Sequence, residues 1–263
     1  TFWINWKGVD LTRKVTGYGT KSAKLHNVVL VNDGDQFQCG DKRAGSAIFA
    51  KSGASTPVML SGKDYSYCVA DAGPRYMDMQ SGQNSMNEVT RHVLFVRRGN
   101  PGYFVMVDRL IAKEASTFKW IVHFVNGADR EDKWIKGKAD NALRIKQGGK
   151  WAKGNADVSL LLGVNVLSPS EFLFETGTHK AVSDDATGPL PIPGFVSISN
   201  PEKQKSLRFV MLLWPCTETE WQKKPIAAIV KEDESELQLK VQAGNRVDLL
   251  HVTYGAKGTA TVK

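Results

Sequence analysis

Short apolar or alternating runs, broken by turn residues almost from end to end, limit the fold of this chain more than any other feature. The runs are Phe2–Trp6, Asn27–Val31, Ala47–Ala50, Thr56–Leu60, Tyr65–Ala70, His92–Val96, Tyr103–Asp108, Phe118–Val125, Ala142–Ile145, Ser159–Val166, Phe195–Ile198, Ser206–Leu213, Ile226–Val230, Glu236–Val241 and Arg246–Tyr254. Between them lie Asn32-Asp33-Gly34, Arg98-Gly99-Asn100-Pro101-Gly102, Gln147-Gly148-Gly149 and Ala243-Gly244-Asn245. Side chains of a strand alternate between two faces, and Gly, Pro and Asn supply the backbone angles that tight turns need. Many short strands punctuated in this way predict an all-β chain, a large antiparallel two-sheet β-sandwich, and not alternating α/β units.

Two segments read as helical: Ser81–Thr90, which is polar, and Pro169–Phe174, which is short. The run Gly188-Pro189-Leu190-Pro191-Ile192-Pro193-Gly194 is stiff and extended. Strands of similar composition continue on both sides of it. Residues 1–263 are therefore expected to form a single sandwich domain, with a Pro-rich crossing loop near 188–194. No internal repeat of fixed period is visible.

The net charge of +8 favours polyanionic partners. The basic residues are spread out, with only short clusters such as Arg97-Arg98 and Lys223-Lys224. No basic helix or arginine-rich arm is present, which argues against nucleic acid as the partner. A soluble surface with a modest excess of lysine explains the charge equally well. No apolar run is long enough for a membrane-spanning helix. Cys39, Cys68 and Cys216 show no CxxC spacing, so neither a disulfide framework nor a zinc ribbon is indicated. Cys39 and Cys68 pair if their strands are neighbours; otherwise they are small buried apolar residues. The chain starts at Thr1 with no initiator Met, as expected of a processed product or a piece of a longer protein.

The catalytic signatures GxSxG, GxxxxGK[ST], HExxH and GxGxxG are all missing from the sequence. What remains is a set of candidate positions. Asp10, Tyr18 and His26 are evenly spaced along the N-terminal region. A carboxylate and an imidazole from adjacent strands supply two of the ligands zinc prefers, but two ligands are not a site. The alternative is that Asp10 caps a turn and His26 satisfies a backbone carbonyl. His26-Asn27 leads into the apolar strand Val28–Val31, and polar residues at the mouth of a buried strand are well placed to meet a ligand. Arg91 and Asp108 flank an apolar hairpin whose pairing would bring them together as a structural ion pair. In Trp120-Ile121-Val122-His123-Phe124, alternation puts His123 with Ile121 on one face. His123 there either meets solvent or substrate or is a hydrogen-bonded structural residue.

Several of these blocks together resemble the C-terminal β-sandwich domain of the heparinase II/III-like polysaccharide lyases, which include alginate lyases. They are Leu25–Gln36, Thr90–Asp108 with the following Arg109, Trp120–Phe124 and Phe209–Pro215. The resemblance implies a β-sandwich joined to an N-terminal α/α toroid, with the active site in the cleft between them. It implies β-elimination on a uronic-acid polysaccharide, a glycosaminoglycan or alginate, in a periplasmic or secreted setting. The toroid, and a His-x-His-x-Asp-x-Gly segment that the family carries just before a strand like Phe2–Trp6, are absent from this chain. The chain alone is then expected to be inactive. By the same resemblance, Asp10 and His26 match ligands of a structural metal, usually zinc, whose set is incomplete here. The Asp10 match departs from the pattern, because Gly17 stands seven positions after it where the family often has the Gly directly after the Asp. Tyr18 falls in a loop where the family presents tyrosines to substrate. Tyr18 and His123 are the candidate substrate-binding residues, and the expected partners are an acidic polysaccharide and the toroid. The alternative is a non-catalytic carbohydrate-binding or structural β-sandwich.

Overall fold

The structure, a computed structural model, describes residues 2, 4–6, 9–12, 23–34, 53–76, 83–99, 102–125, 142–147, 160–178, 183–184, 188–189 and 193–263. At 9–10, 125, 142–147, 183–184, 188–189 and 193 the backbone alone is described. In chain order the strands are β1 (Asn5–Trp6), β2 (Val9–Asp10), β3 (Val29–Val31), β4 (Ser55–Ser61), β5 (Tyr65–Asp71) and β6 (Met86–Val96). They continue with β7 (Tyr103–Ser116), β8 (Phe118–Val125), β9 (Ala142–Gln147), β10 (Leu160–Ser168), β11 (Leu173–Thr178), β12 (Ser183–Asp184) and β13 (Gly188–Pro189). The last are β14 (Pro193–Ser199), β15 (Gln204–Thr217), β16 (Ile226–Glu232), β17 (Glu236–Ala243), β18 (Arg246–Thr253) and β19 (Ala260–Val262).

A seven-stranded antiparallel sheet, in the order β4-β5-β6-β7-β15-β10-β9, forms the middle of the molecule. One face packs on the four-stranded sheet β11-β14-β8-β3, and the other on the four-stranded sheet β16-β17-β18-β19. The expected antiparallel sandwich is present, and it carries a third layer. The first core interleaves Met106, Leu110, Phe209 and Met211 of the middle sheet with Phe118, Trp120, Val122 and Ile198. The second interleaves Val105, Val107, Val210, Leu212 and Trp214 with Leu237, Leu239, Val241, Leu250 and Val252. A strand covered on both faces needs apolar residues at every position. This is why Leu160–Val164 and Phe209–Trp214 read as continuous apolar runs and not as alternation. Gly163 is opposite Trp214 in the β10–β15 ladder, and a Cβ there would collide with the indole. The glycine lets the ring lie flat on the strand, where it stacks on Trp221 at 5.6 Å.

Neither expected helix forms. Residues 86–90 of the first belong to β6, where Met86 and Val89 enter the first core, and 81–82 lie outside the described residues. Strand pairing with β7 there outweighs the polar composition. In the second, β10 runs to Ser168 and β11 starts at Leu173, leaving no room for a helix. Helical geometry among the described residues is limited to 3-10 turns at Ala23–Leu25, Gly73–Arg75 and Trp221–Lys223. Within the Pro-rich stretch, Gly188–Pro189 pairs with Ser183–Asp184 and Pro193 already begins β14. The predicted run 47–50 and Cys39 lie outside the described residues; Cys68 is a free thiol and Cys216 is buried.

A buried carboxylate fixes the third layer to the middle sheet. Asp248, on the inner face of β18, has no solvent exposure. It accepts hydrogen bonds from Tyr103 Oη at 2.7 Å, Arg98 Nη2 at 2.6 Å and Arg246 Nε at 2.9 Å. Burial pushes its pKa up, but these donors outweigh burial and hold the carboxyl below its usual range. Removing one partner from a buried ion pair leaves the other charges uncompensated. Asp248→Ala is therefore expected to lower unfolding free energy by about 3 kcal/mol, measured by urea titration.

Candidate functional site

The N-terminal turn carrying His26 and Asn27 is built outward from the first core. Ala23–Leu25 makes one 3-10 turn, closed by the His26 amide donating to Ala23 O at 3.0 Å. Ala23 and Leu25 are buried, as is every residue of β3. Val29 and Val31 point into the first core, while Val28 and Leu30 pack with Ile121 and Phe195 on the outer face of the same sheet. The strand ends at Asn32 and Asp33, both in the left-handed region (φ 51° and 53°), which Asn and Asp tolerate better than most residues. Thr117 donates its amide to Asn32 Oδ1 at 3.0 Å, and Lys119 pairs with Asp33 at 2.7 Å, locking the turn to β8.

Asn27 is the hub of this region. Its side chain is fully buried. Nδ2 donates to Phe2 O at 2.8 Å; Oδ1 accepts the His123 backbone N–H at 2.8 Å and lies 3.2 Å from His123 Nδ1. Its carbonyl accepts Arg91 Nη1 at 3.1 Å. Arg91 in turn makes a bidentate pair with Asp108, its direct partner in the β6–β7 ladder, at 2.5 and 2.8 Å. Burial disfavours the Arg91 charge, and Asp108 more than offsets this, so the guanidinium holds its proton more tightly than usual. The Phe2 ring lies 5.2 Å from Arg91 Cζ and stacks on Trp120 at 6.0 Å. One side chain and one ion pair thus tie the N-terminal segment, the His26-Asn27 turn, β8 and the middle sheet together.

The predicted candidates fare differently. Arg91 and Asp108 are brought together as the hairpin required. His26 is half-buried beside the hub. Asp10 lies on β2 opposite Asn5, with its side chain outside the described residues. Tyr18 also lies outside them. His123 does occupy the face opposite Trp120, but that face is covered by the 23–28 segment and Phe195. The ring has no exposure and is not open to a ligand in this conformation. Among the described residues, no group of three or more His, Cys, Asp or Glu side chains converges as a metal site. Sequence reasoning missed Asn27 as hub and Tyr76, whose hydroxyl donates to Val29 O at 2.7 Å.

Solved heparan sulfate lyases contain this fold. Heparan sulfate lyase HepC from Pedobacter heparinus superposes with a TM-score of 0.62 at 15% identity, over 100% of this chain and 36% of that one. Heparinase III, the BT4657 gene product, superposes with a TM-score of 0.63 at 12% identity, over 93% of this chain and 34% of that one. The chain therefore spans about a third of the length of these structures. No protein-family model and no curated protein matches the sequence.

A second polar cluster lies on the opposite face of the middle sheet. His92 is buried, with Nδ1 2.7 Å from Tyr67 Oη and Nε2 without a hydrogen-bond partner among the described residues. Tyr254 meets His92 edge-on at 6.0 Å, and its ring lies below Arg109 and Arg208. Burial, with a smaller contribution from the Arg109 charge, lowers the His92 pKa to about 4. The folded form then binds a proton less readily than the unfolded chain. The stability this gives is complete above the ordinary histidine pKa of about 6.5 and is lost as pH falls through the folded value. Between about pH 6.5 and 4 the protein is expected to lose up to about 3 kcal/mol on this account, and His92→Gln to flatten that part of the curve in pH-dependent denaturant titrations.

The hub makes its own prediction. Asn27→Ala leaves the His123 N–H and Phe2 O unpaired in the interior. The expected cost is about 3 kcal/mol, with faster hydrogen exchange at the His123 amide.

Proposed function

We propose that this chain is the β-sandwich part of a polysaccharide lyase that cleaves an acidic, uronic-acid polysaccharide by β-elimination, with an α/α toroid required for catalysis. The observation that carries this reading is the superposition of nearly the whole chain on about a third of solved heparan sulfate lyases. The net charge of +8 suits an acidic glycan. In β-elimination a base removes the proton beside the carboxylate, and a neutralising group stabilises the charge that develops. In this reading the chain is inactive by itself. A periplasmic or secreted location goes with the same reading; among the described residues no helix is long and apolar enough to cross a membrane.

In this reading Asp10 and His26 are two ligands of a structural zinc, and the remaining donors come from outside the described residues. The donor chemistry fits, since zinc accepts carboxylate oxygen and imidazole nitrogen. The half-buried position of His26 beside a rigid hub favours a fixed ligand over a mobile one. Tyr18 is the residue proposed to meet the glycan, and His123 supports the turn through Asn27.

Two measurements test this together. Full-length protein containing the toroid should generate the ultraviolet absorbance of an unsaturated uronate from heparan sulfate or alginate, and the isolated chain should not. Zinc analysis of the full-length protein should find about one ion, lost in His26→Ala. Full-length protein that leaves every uronate polymer intact would sink the lyase reading, and zinc retained in His26→Ala would sink the ligand assignment.

A further inference from the structure

Beyond the end of the third sheet, the face of the middle sheet opens into a cavity of about 280 Å³ beneath the β16–β17 turn. Arg109, Arg208, Ser168, Ser206, Glu232 and Glu234 contribute to its lining. Arg109 and Arg208 are direct partners in the β7–β15 ladder, so two positive side chains leave one face of the sheet side by side. Like charges directly opposite in a sheet repel, and such an arrangement needs anions around it.

Each arginine has its own carboxylate. Glu88 takes Nη1 of Arg109, and Glu232 Oε1 takes Nε of Arg208 at 2.8 Å. Arg208 Nη1 donates to Asp233 O at 2.6 Å. The Tyr254 ring, 5.8 and 5.4 Å from the two Cζ atoms, backs both guanidinium groups. Nη2 of each arginine meets a shared partner. The carboxylate of Glu234 spans that gap, with Oε2 3.5 Å from Arg109 Nη2 and Oε1 3.5 Å from Arg208 Nη2. Its side chain is 78% exposed at the tip of the turn. A long, exposed ion pair of this kind contributes little, so Glu234 is easily displaced.

We propose that the paired Nη2 groups of Arg109 and Arg208 form a clamp for a carboxylate or sulfate of an acidic glycan, and that Glu234 is a built-in competitor filling the clamp when no glycan is bound. The proposal rests on the acidic-glycan reading above and adds a subsite to it. Bidentate anions suit such a fork, since each oxygen takes one charge-assisted hydrogen bond. The volume lies just below the usual range of ligand pockets, roughly 300–1,000 Å³, and suits one sugar unit. Ser168 and Ser206 add hydroxyls that can pair with sugar hydroxyls. Without Glu234, the two arginines are balanced by Glu88 and Glu232. Attraction then comes from directed hydrogen bonds and not from net charge, so affinity is modest and survives moderate salt better than a purely electrostatic contact.

The test is calorimetric titration of the chain with two size-defined tetrasaccharides, one from heparan sulfate and one from alginate, which carries carboxylates but no sulfate. Glu234→Ala is expected to bind about 3- to 10-fold more tightly than wild type, and Arg208→Gln about tenfold more weakly. The double variant should lose the gain. A gain in affinity cannot arise from misfolding, so Glu234→Ala decides the matter even if Arg208→Gln folds poorly. Tightening with both glycans assigns the clamp to carboxylate, and tightening with heparan sulfate alone assigns it to sulfate. Unchanged or weaker binding by Glu234→Ala, or no binding by either form, overturns the clamp. The lyase assay on full-length protein is independent: glycan cleavage with no Glu234 effect removes the clamp and leaves the lyase reading standing. Tighter binding by Glu234→Ala without cleavage does the reverse.

Discussion

Burial of the middle sheet on both faces is the constraint on which the rest of the structure depends. Strands β7, β10 and β15 have no solvent side over most of their length, so neither face can absorb a polar residue without a partner. The carboxylates buried against the sheet's two faces are paired. Asp108 has Arg91 on the face of the first core, and on the other face Asp248 has Arg98, Arg246 and Tyr103. Each set also reaches out of the sheet, to the Asn27 carbonyl in one case and from β18 in the other. The requirement that buried charges be satisfied thus becomes the means by which outer elements are positioned.

The all-β class was legible because turn residues and apolar runs repeat at strand length, and no later contact had to be guessed. Arg91 and Asp108 were legible too, since a hairpin closing near Gly99–Gly102 pairs positions symmetric about its turn. The third sheet was not. Strands β17 and β18 alternate apolar and polar just as one-sided strands of a two-layer sandwich would, and nothing in alternation says against which sheet the apolar side will pack. The stretch Ser81–Thr90 misled for a different reason. Its polar residues Asn87, Glu88 and Thr90 suggested a solvated helix, yet Glu88 is there to neutralise Arg109 on the neighbouring strand. Asn27 and His123 are 96 positions apart, a separation at which spacing carries no information.

The same limit applies to function. A sandwich hosts many activities, and the fold shared with heparan sulfate lyases covers about a third of those chains. Chemistry that needs groups from two domains leaves only half of its geometry in either. The described residues hold rigid networks that position elements, one centred on Asn27 and one on Asp248.

His26 and Asn27 show how such a division works at the scale of two residues. A polar pair at the mouth of a buried strand can either be consumed by the fold or offered to a partner. Asn27 takes the first course. Asn27 is fully buried and spends its side chain on Phe2 and His123 and its carbonyl on Arg91, which fixes the backbone at that point. His26, one position earlier, keeps a half-buried ring on the same fixed backbone. Asn27 fixes the backbone that carries the adjacent imidazole. A ligand that binds such an imidazole meets a group whose ordering cost was met during folding, and this pre-organisation favours binding at this turn over an equivalent histidine on a mobile loop.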